Sequence, residues 1–348
     1  MLATGGSAVI MKKMGEQKKE EARQDFTFLI LVNVIVGLVM CGAGYALTGK
    51  IFGAMDLSPE VSGYCVDYLS RYLLFTVPIL LMNNFTLYMI ASEKATLSLV
   101  CSVSGGVLNM VLDYVLIALC DLGIAGAAIA TGLGYSVTAV AGLVVFSRKR
   151  SLLHFTRPVL RPRVLLAAAS NGCSEMATAL VTGIVTLAFN ATMLHYVGED
   201  GVAAITIIQY SQFLLNALFM GFSQGVSPVI SFNYGSRNQE QLRQVFKTSL
   251  LFTLATSAAT FLLAQLGGSI VVGIFAEPGS PVYGLARHGF TIFAFSFLFS
   301  GFTIFASALF TALSDGRISA VISFVRTFGL IITSLMVLPF LIGVDGVW

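Results

Sequence analysis

Apolar residues along this chain form long runs that are separated by short polar segments. Runs long enough to cross roughly 30 Å of hydrocarbon as helices lie at residues 26–48, 68–91, 95–119, 123–146, 164–195, 202–228, 246–275, 284–312 and 317–342. The pattern predicts nine membrane-spanning helices, preceded by a short stump of a tenth. We therefore expect an all-α polytopic membrane protein.

Composition supports a membrane location. The 348 residues are 56% hydrophobic and only 11% charged, with a mean hydropathy of +0.87, whereas soluble domains are about 25% charged. A net charge of +3 is too small to indicate a nucleic-acid partner. The five cysteines form no CxxC pair and the three histidines lie in or beside different connections, so no disulfide framework, metal site or enzyme centre is predicted.

The basic residues indicate the orientation of the chain in the membrane. Sixteen of the 20 Lys and Arg residues fall in alternate connections between the predicted spans. Because cytoplasmic loops carry the excess of basic residues, we place the connection at 147–163 in the cytoplasm and the protein in the cell membrane.

An internal repeat relates the two halves of the chain. Residues 5–24 align with 225–244 at an offset of 220, and "LGIAG" at 122–126 aligns with "IGVDG" at 342–346 at the same offset. Such repeats predict two helical lobes of parallel orientation. We expect an N-terminal lobe at 1–150 that lacks its first helix and most of its second, and a C-terminal lobe at 151–348 that lacks its last helix, from a parent of six plus six helices.

Two segments resemble the multidrug and toxic compound extrusion (MATE) family: "LNMVLDYVLIALCDLGIAGAAIATGLG" (108–134) and the run at 198–238 that contains Gln224, Gly225, Pro228 and Gly235. The resemblance implies an antiporter that exports lipophilic, often cationic, small molecules in exchange for H⁺ or Na⁺ by alternating access. It implies no cofactor besides the coupling ion. The family's acid in the first helix is missing here, residues 284–312 hold no acid, and Glu175 matches the acid of the seventh helix.

Glu175 is the principal candidate for ion coupling. It lies about 18 Å along its predicted helix from Arg163, where an ionised acid costs about 2.5–3.5 kcal/mol unless a cleft, a proton or a cation compensates it. Helical spacing places a polar stripe on the same face: Asn171, Thr178, Thr182, Thr186 and Asn190. The stripe is expected either to line a cavity or to hydrogen-bond neighbouring helices.

Three further groups of polar residues each have two possible roles. Gln209, Gln212 and Asn216 share one face of the next helix and are expected to line the same cavity or to pack between helices. Asp113 is either part of the ion network or a structural acid held by hydrogen bonds. Arg326, inside the last span, is expected to extend towards the cytoplasm or to form an ion pair, and Pro78 favours a bend in the span at 68–91.

Other functions fit the sequence less well. A flippase of lipid-linked oligosaccharides from the related superfamily needs several cavity cations, and Arg326 is nearly alone. A membrane enzyme needs clustered His or carboxylates at one depth. An inactive transporter fragment is the third alternative. We expect a monomer in a lipid bilayer with small organic substrates and no nucleic-acid partner.

Overall fold

The computed structural model describes residues 1–54 and 58–348, and no strand occurs in this part of the chain. Its α-helices are α1 (Leu2–Gly15), α2 (Lys19–Gly53), α3 (Pro59–Leu73), α4 (Thr76–Ala91), α5 (Ala95–Asp113), α6 (Gly123–Ser147), α7 (Pro162–Asn171), α8 (Cys173–Tyr196), α9 (Glu199–Gly235), α10 (Gln239–Gly273), α11 (Pro281–Phe293), α12 (Phe297–Ala312), α13 (Gly316–Phe324) and α14 (Ile331–Ile342). Two π-helical turns (Tyr114–Leu119 and Val325–Leu330) and two 3₁₀ turns (Ala294–Ser296 and Gly343–Gly346) continue or join them. The all-α prediction is confirmed.

The number of membrane spans agrees with the hydrophobic pattern. Eight helical segments of the described chain are long and apolar enough to cross a bilayer, and there are nine if α3 and α4, which meet at 54°, count as one bent span. The bend predicted near Pro78 is present, at Leu74 and Phe75. Pro78 itself lies in the first turn of α4. N–H groups in the first turn of a helix have no acceptor within the helix, so a proline there costs no hydrogen bond.

Four predicted spans depart from a regular α-helix in ways that the apolar pattern did not show. The run at 95–119 ends in the π turn Tyr114–Leu119. The run at 164–195 is divided at Gly172 into α7 and α8, and the run at 284–312 contains a 3₁₀ turn between α11 and α12. The run at 317–342 contains the π turn Val325–Leu330. Hydrophobicity indicates how long a segment stays apolar, but it does not indicate which hydrogen-bond pattern the backbone adopts. The apolar runs therefore could not predict these interruptions.

The chain forms two compact units, residues 2–168 and residues 169–348 together with Met1. The core of the first contains Phe26 of α2, whose ring lies edge-on to Tyr88 at 4.9 Å and 5.0 Å from Phe146. Phe155, in the connection after α6, stacks on Phe26 at 5.4 Å. The connection is therefore packed against the start of α2. The predicted lobe boundary at 150/151 and the loss of helices stay predictions.

The second unit is built around α9, α10, α11 and α12. Ile208, Ala264, Phe290 and Phe297 form its main core, and Met193 of α8 packs with residues near the end of the chain in a second cluster. Large apolar side chains such as Leu266 (82% exposed) and Phe340 (84% exposed) lie on the outside. Such exposure is expected for helices that face lipid.

Adjacent glycines on α5 give a matched test of helix packing in the first unit. A Cβ atom at Gly105 would lie 2.5 Å from the carbonyl oxygen of Gly134 on α6, whereas a Cβ atom at Gly106 would meet nothing within 4 Å. Gly105→Ala is therefore expected to lower the free energy of unfolding by about 1–3 kcal/mol. Gly106→Ala is expected to raise it by about 0.5–1 kcal/mol. Thermal unfolding of both variants in detergent checks the difference, and equal midpoints would show that α5 and α6 do not pack this closely.

Candidate functional site

Glu175 lies in the first turn of α8, three residues after the interruption at Gly172. Its side chain is 47% exposed, and Oε2 lies 3.9 Å from the amino group of Met1, which belongs to the same unit. The free N–H groups at a helix N-terminus favour a carboxylate. A carboxylate at the start of a helix, inside an apolar segment and open on one side, is able to take up a proton or a cation.

Asn171 and Glu175 lie on different helices, so their shared polar stripe stays a prediction. Asn171 is the last residue of α7, and Gly172 separates it from α8, which holds Glu175. The residue is 3% exposed, and Nδ2 donates to the Thr311 carbonyl oxygen at 2.7 Å. Its Oδ1 is buried and has no partner in the described chain. Asn171 therefore packs the end of α7 against the end of α12, and Oδ1 keeps the capacity to accept a hydrogen bond.

Thr178 and Thr182 do lie on the same face of α8 as Glu175. Each hydroxyl donates to the carbonyl four residues earlier, Thr178 to Ser174 at 2.9 Å and Thr182 to Thr178 at 2.8 Å. The donors are thus used within the helix, as Thr hydroxyls in membrane helices commonly are. Each hydroxyl oxygen can still accept a hydrogen bond, and a role in lining a cavity stays a prediction.

The amides of α9 lie in the same unit, on the helix that packs against α8. Gln209, Gln212 and Asn216 are all half-buried. The Oδ1 atom of Asn216 is buried without a partner in the described chain. The two neighbouring helices therefore both carry amide or hydroxyl oxygens that can accept hydrogen bonds, as a hydrated cavity requires.

Asp113 lies in the other unit, so Asp113 and Glu175 belong to separate halves of the chain. It is the last residue of α5 and directly precedes the π turn Tyr114–Leu119. Asn109, one turn earlier, donates to Thr131 Oγ1 at 3.4 Å. One carboxyl oxygen of Asp113 is buried with no partner in the described chain, which is not what a structural acid held by hydrogen bonds requires. Its part in the ion network stays a prediction.

Arg326 behaves differently from both sequence-based alternatives. It lies in the π turn after α13, and its Nη1 donates to Thr303 Oγ1 of α12 at 3.2 Å, while Nε donates to Thr327 Oγ1 at 3.4 Å. Thr303 is nine residues from the end of α12, so the guanidinium stays within the helical layer instead of reaching its end. Within the described chain, no carboxylate lies within ion-pair distance of it.

A buried acid that the sequence reasoning passed over is Asp25 of α2, which is fully buried. Lys13 Nζ donates to its Oδ2, and Arg161 Nη1 donates to its Oδ1 at 2.9 Å. Arg161 also donates to Gln24 Oε1 at 2.9 Å and lies 3.8 Å from Glu21. We call Lys13, Glu21, Asp25 and Arg161 the Asp25 cluster. The available signal was an acid placed one residue before an apolar run.

The Asp25 cluster holds the connection between α6 and α7 against the start of α2. Two further hydrogen bonds support it: Arg23 Nε donates to the Leu152 carbonyl at 3.2 Å, and the Thr156 N–H donates to Thr27 Oγ1 at 3.0 Å. In the turn before α2, Lys18 donates to Glu16 at 2.8 Å and thereby lowers the pKa of the Glu16 carboxyl. The cluster is therefore a structural feature of the first unit, and its central carboxylate, that of Asp25, is fully buried.

Known proteins resemble this chain over its whole length. Multidrug export protein MepA of Staphylococcus haemolyticus (strain JCSC1435) is 24% identical over 352 residues, which span 100% of this chain and 76% of that protein. MepA of Staphylococcus aureus (strain bovine RF122 / ET3-1) is 21% identical over 352 residues, covering 99% of this chain and 76% of its own length.

Solved structures share the fold. A crystal structure of MATE in complex with MaL6 superposes with a TM-score of 0.95 at 21% identity, covering 100% of this chain and 79% of that one. The outward-facing conformation of a multidrug resistance MATE family transporter of the MOP superfamily gives a TM-score of 0.94 at 21% identity, covering 100% and 78%.

The family is decided by a sequence model. The family described as MatE matches residues 1–115 and 176–336, which together make up most of the chain and include Asp113, Thr178, Thr182 and the amides of α9, whereas Glu175 lies one residue before the second range. The resemblance read from residues 108–134 and 198–238 is thereby confirmed, and this membrane protein belongs to the MatE family.

Proposed function

We propose that this chain exports lipophilic or cationic organic compounds across the cell membrane in exchange for H⁺ or Na⁺. The observation that carries the proposal is the half-exposed carboxylate of Glu175 at the start of an apolar helix. The names of the staphylococcal relatives, which are multidrug export proteins, support the same class of substrate.

Glu175 is the group at which the ion and the substrate compete. When the carboxylate is ionised it attracts a cationic compound, and a proton or Na⁺ that binds there removes this attraction. The Thr178 and Thr182 oxygens and the amides of Gln209, Gln212 and Asn216 provide neutral acceptors for water or substrate beside it. Asp113 serves the other unit of the chain in the same capacity, next to its π turn.

The interruption at Gly172 is the place where ion binding is coupled to a change in shape. α8 begins only two residues after α7 ends, so a small rotation about Gly172 redirects the first turn of α8, which holds Glu175. Neutralising the Glu175 carboxylate shifts the relative populations of two conformations of this turn. This shift opens the cavity to one membrane face and then to the other, which is alternating access. In this scheme the connection at 147–163 lies in the cytoplasm and the monomer is the working unit.

Expression in an efflux-deficient bacterial host tests the proposed function. Cells that express the chain should accumulate less ethidium than cells with an empty vector, and collapse of the ion gradients should abolish the difference. The amount of protein in the membrane fraction is measured in parallel by immunoblotting. Equal accumulation in both strains, with the protein present in the membrane, would contradict export by this chain.

A further inference from the structure

The connection between α6 and α7 packs against the first unit along its inner face. The Phe155 N–H donates to the Phe146 carbonyl oxygen at 2.9 Å, and the side chain of Leu153 is fully buried. Further along, Arg161 is bound by the Asp25 cluster. The connection is therefore anchored at two points, and its other residues form an outer face whose position is fixed by these anchors.

Cations without a carboxylate partner lie on this outer face. Residues 147–163 include six Lys or Arg residues and no Asp or Glu. Of these six, Arg161 alone lies within ion-pair distance of a carboxylate among the described residues. The other five are exposed: Arg148, Lys149, Arg150, Arg157 and Arg163. The outer face therefore carries five positive charges that the connection itself does not neutralise.

The acids at the same end of the first unit do not compensate these cations. Those of the turn between α1 and α2 and of the first turn of α2 already have partners of their own: Glu16 with Lys18, Glu20 with Arg23 and Glu21 with Lys13. Glu93, in the turn between α4 and α5, is exposed. A single further carboxylate leaves a large excess of positive charge on the surface of the connection.

Two apolar side chains lie exposed among these cations. Leu160 is 81% exposed and Val159 is 38% exposed, and both lie outside the apolar runs that predict membrane spans. Pro158 and Pro162 flank them and restrict the backbone on either side. A membrane surface accommodates both features, because apolar side chains enter the boundary between headgroups and acyl chains while cations meet anionic lipid.

The cations also lie at the depth of lipid headgroups. Arg148, Lys149 and Arg150 directly follow the last residue of α6, and Arg163 is the second residue of α7. α6 is long and apolar enough to span a bilayer. Clusters of four to eight Lys or Arg residues next to a span are typical of sites for anionic lipids. Soluble acidic partners fit less well, since they offer no apolar phase for Leu160.

We propose that the connection between α6 and α7 binds anionic phospholipid, with Arg148, Lys149, Arg150 and Arg157 on the phosphate groups and Leu160 beside the acyl chains. The inference goes beyond the export function and does not depend on it. It rests on the placement of this connection at the surface of the membrane. Because the Asp25 cluster ties the connection to α2, bound lipid also stabilises the packing of the first unit.

Native mass spectrometry of the purified 348-residue protein in a nonionic detergent tests the proposal. Dioleoyl phosphatidylglycerol and dioleoyl phosphatidylcholine are titrated separately, and each titration gives the Kd of the first bound lipid. The test variant combines Arg148→Gln, Lys149→Gln and Arg150→Gln. The matched control removes three exposed cations from the end of α9 and the start of α10 by combining Arg237→Gln, Arg243→Gln and Lys247→Gln.

The wild type should bind phosphatidylglycerol at least about fivefold more tightly than phosphatidylcholine, a comparison that needs no variant. The test variant should raise the Kd of phosphatidylglycerol about tenfold or more, because each cation near an anionic lipid surface contributes about fivefold in affinity. The matched control should change it by less than about twofold. Leu160→Ser should raise the Kd of both lipids about threefold or more, since an apolar contact is lost.

Three outcomes would overturn the inference. Equal Kd values of the two lipids in the wild type would show no preference for anionic lipid. Equal losses in the test variant and in the matched control would show a general attraction to any cation. Displacement of phosphatidylglycerol by soluble polyglutamate, with Leu160→Ser like the wild type, would assign the surface to an acidic polypeptide. Lipid titration measures no transport, so failure here leaves the export proposal standing, and absence of dye export leaves the lipid site standing.

Discussion

Glu175→Gln is expected to lower ion-driven export of a cationic dye at least about tenfold. Glutamine keeps the shape of the side chain, but it cannot lose a proton and offers a monovalent cation no negative charge. Loss of a charged interaction of about 1.5–3 kcal/mol corresponds to a factor of ten or more. The measurement is gradient-driven dye transport in proteoliposomes, normalised to the amount of inserted protein.

Glu199→Gln is the matched control for this experiment. Glu199 also lies in the first turn of a helix of the same unit, α9, and its side chain is exposed. The substitution removes the same charge at an equivalent helical position, outside the predicted apolar span. It should leave transport within about twofold of the wild type. If both variants transport equally well, Glu175 is not the coupling group.

Asp25→Asn is expected to destabilise the first unit by about 2–4 kcal/mol. Asparagine would turn an N–H₂ group or a neutral oxygen towards Lys13 and Arg161, so that two buried charge-assisted hydrogen bonds are lost. Breaking a buried ion pair typically costs 3–5 kcal/mol. We lower this range because the side chains of Lys13 and Arg161 are 20% and 29% exposed and can partly rehydrate.

Thermal unfolding in detergent, followed by circular dichroism, measures this loss. Glu20→Gln removes a neighbouring acid of α2 whose side chain is 65% exposed and lies 3.7 Å from Arg23. Its effect should stay within about 0.5 kcal/mol, because exposed ion pairs contribute little. An Asp25→Asn variant as stable as Glu20→Gln would show that the Asp25 cluster does not hold the connection to α2.

The sequence was sufficient for the span count and the family because both depend on signals that are spread over many residues. A misread residue or boundary changes neither the count of nine apolar runs nor the repeat offset of 220 residues. By contrast, the break between α7 and α8 involves one residue, Gly172, inside an apolar run, and the apolar pattern does not reveal it. For this reason the sequence placed Asn171 and Glu175 on one continuous helix. The burial of Asn171 against α12 follows from contacts that no spacing rule contains.

Individual charges were the least predictable part of the site. Asp25 looked like the polar margin of an apolar run, and only the fold brings Lys13 and Arg161, which is 136 residues away, to its carboxylate. Arg326 has a long side chain that suits extension to the membrane surface. Instead, its guanidinium donates to the hydroxyl of Thr303 on α12 and to that of Thr327 in the π turn.

The most direct test of ion-coupled export is dye flux in proteoliposomes that contain the 348-residue protein, with a proton gradient, a sodium gradient or neither imposed. The account predicts that dye moves against its own gradient when one of these ions flows the opposite way, and that this movement is lost in Glu175→Gln but kept in Glu199→Gln. Dye movement at the same rate with both gradients collapsed would contradict it.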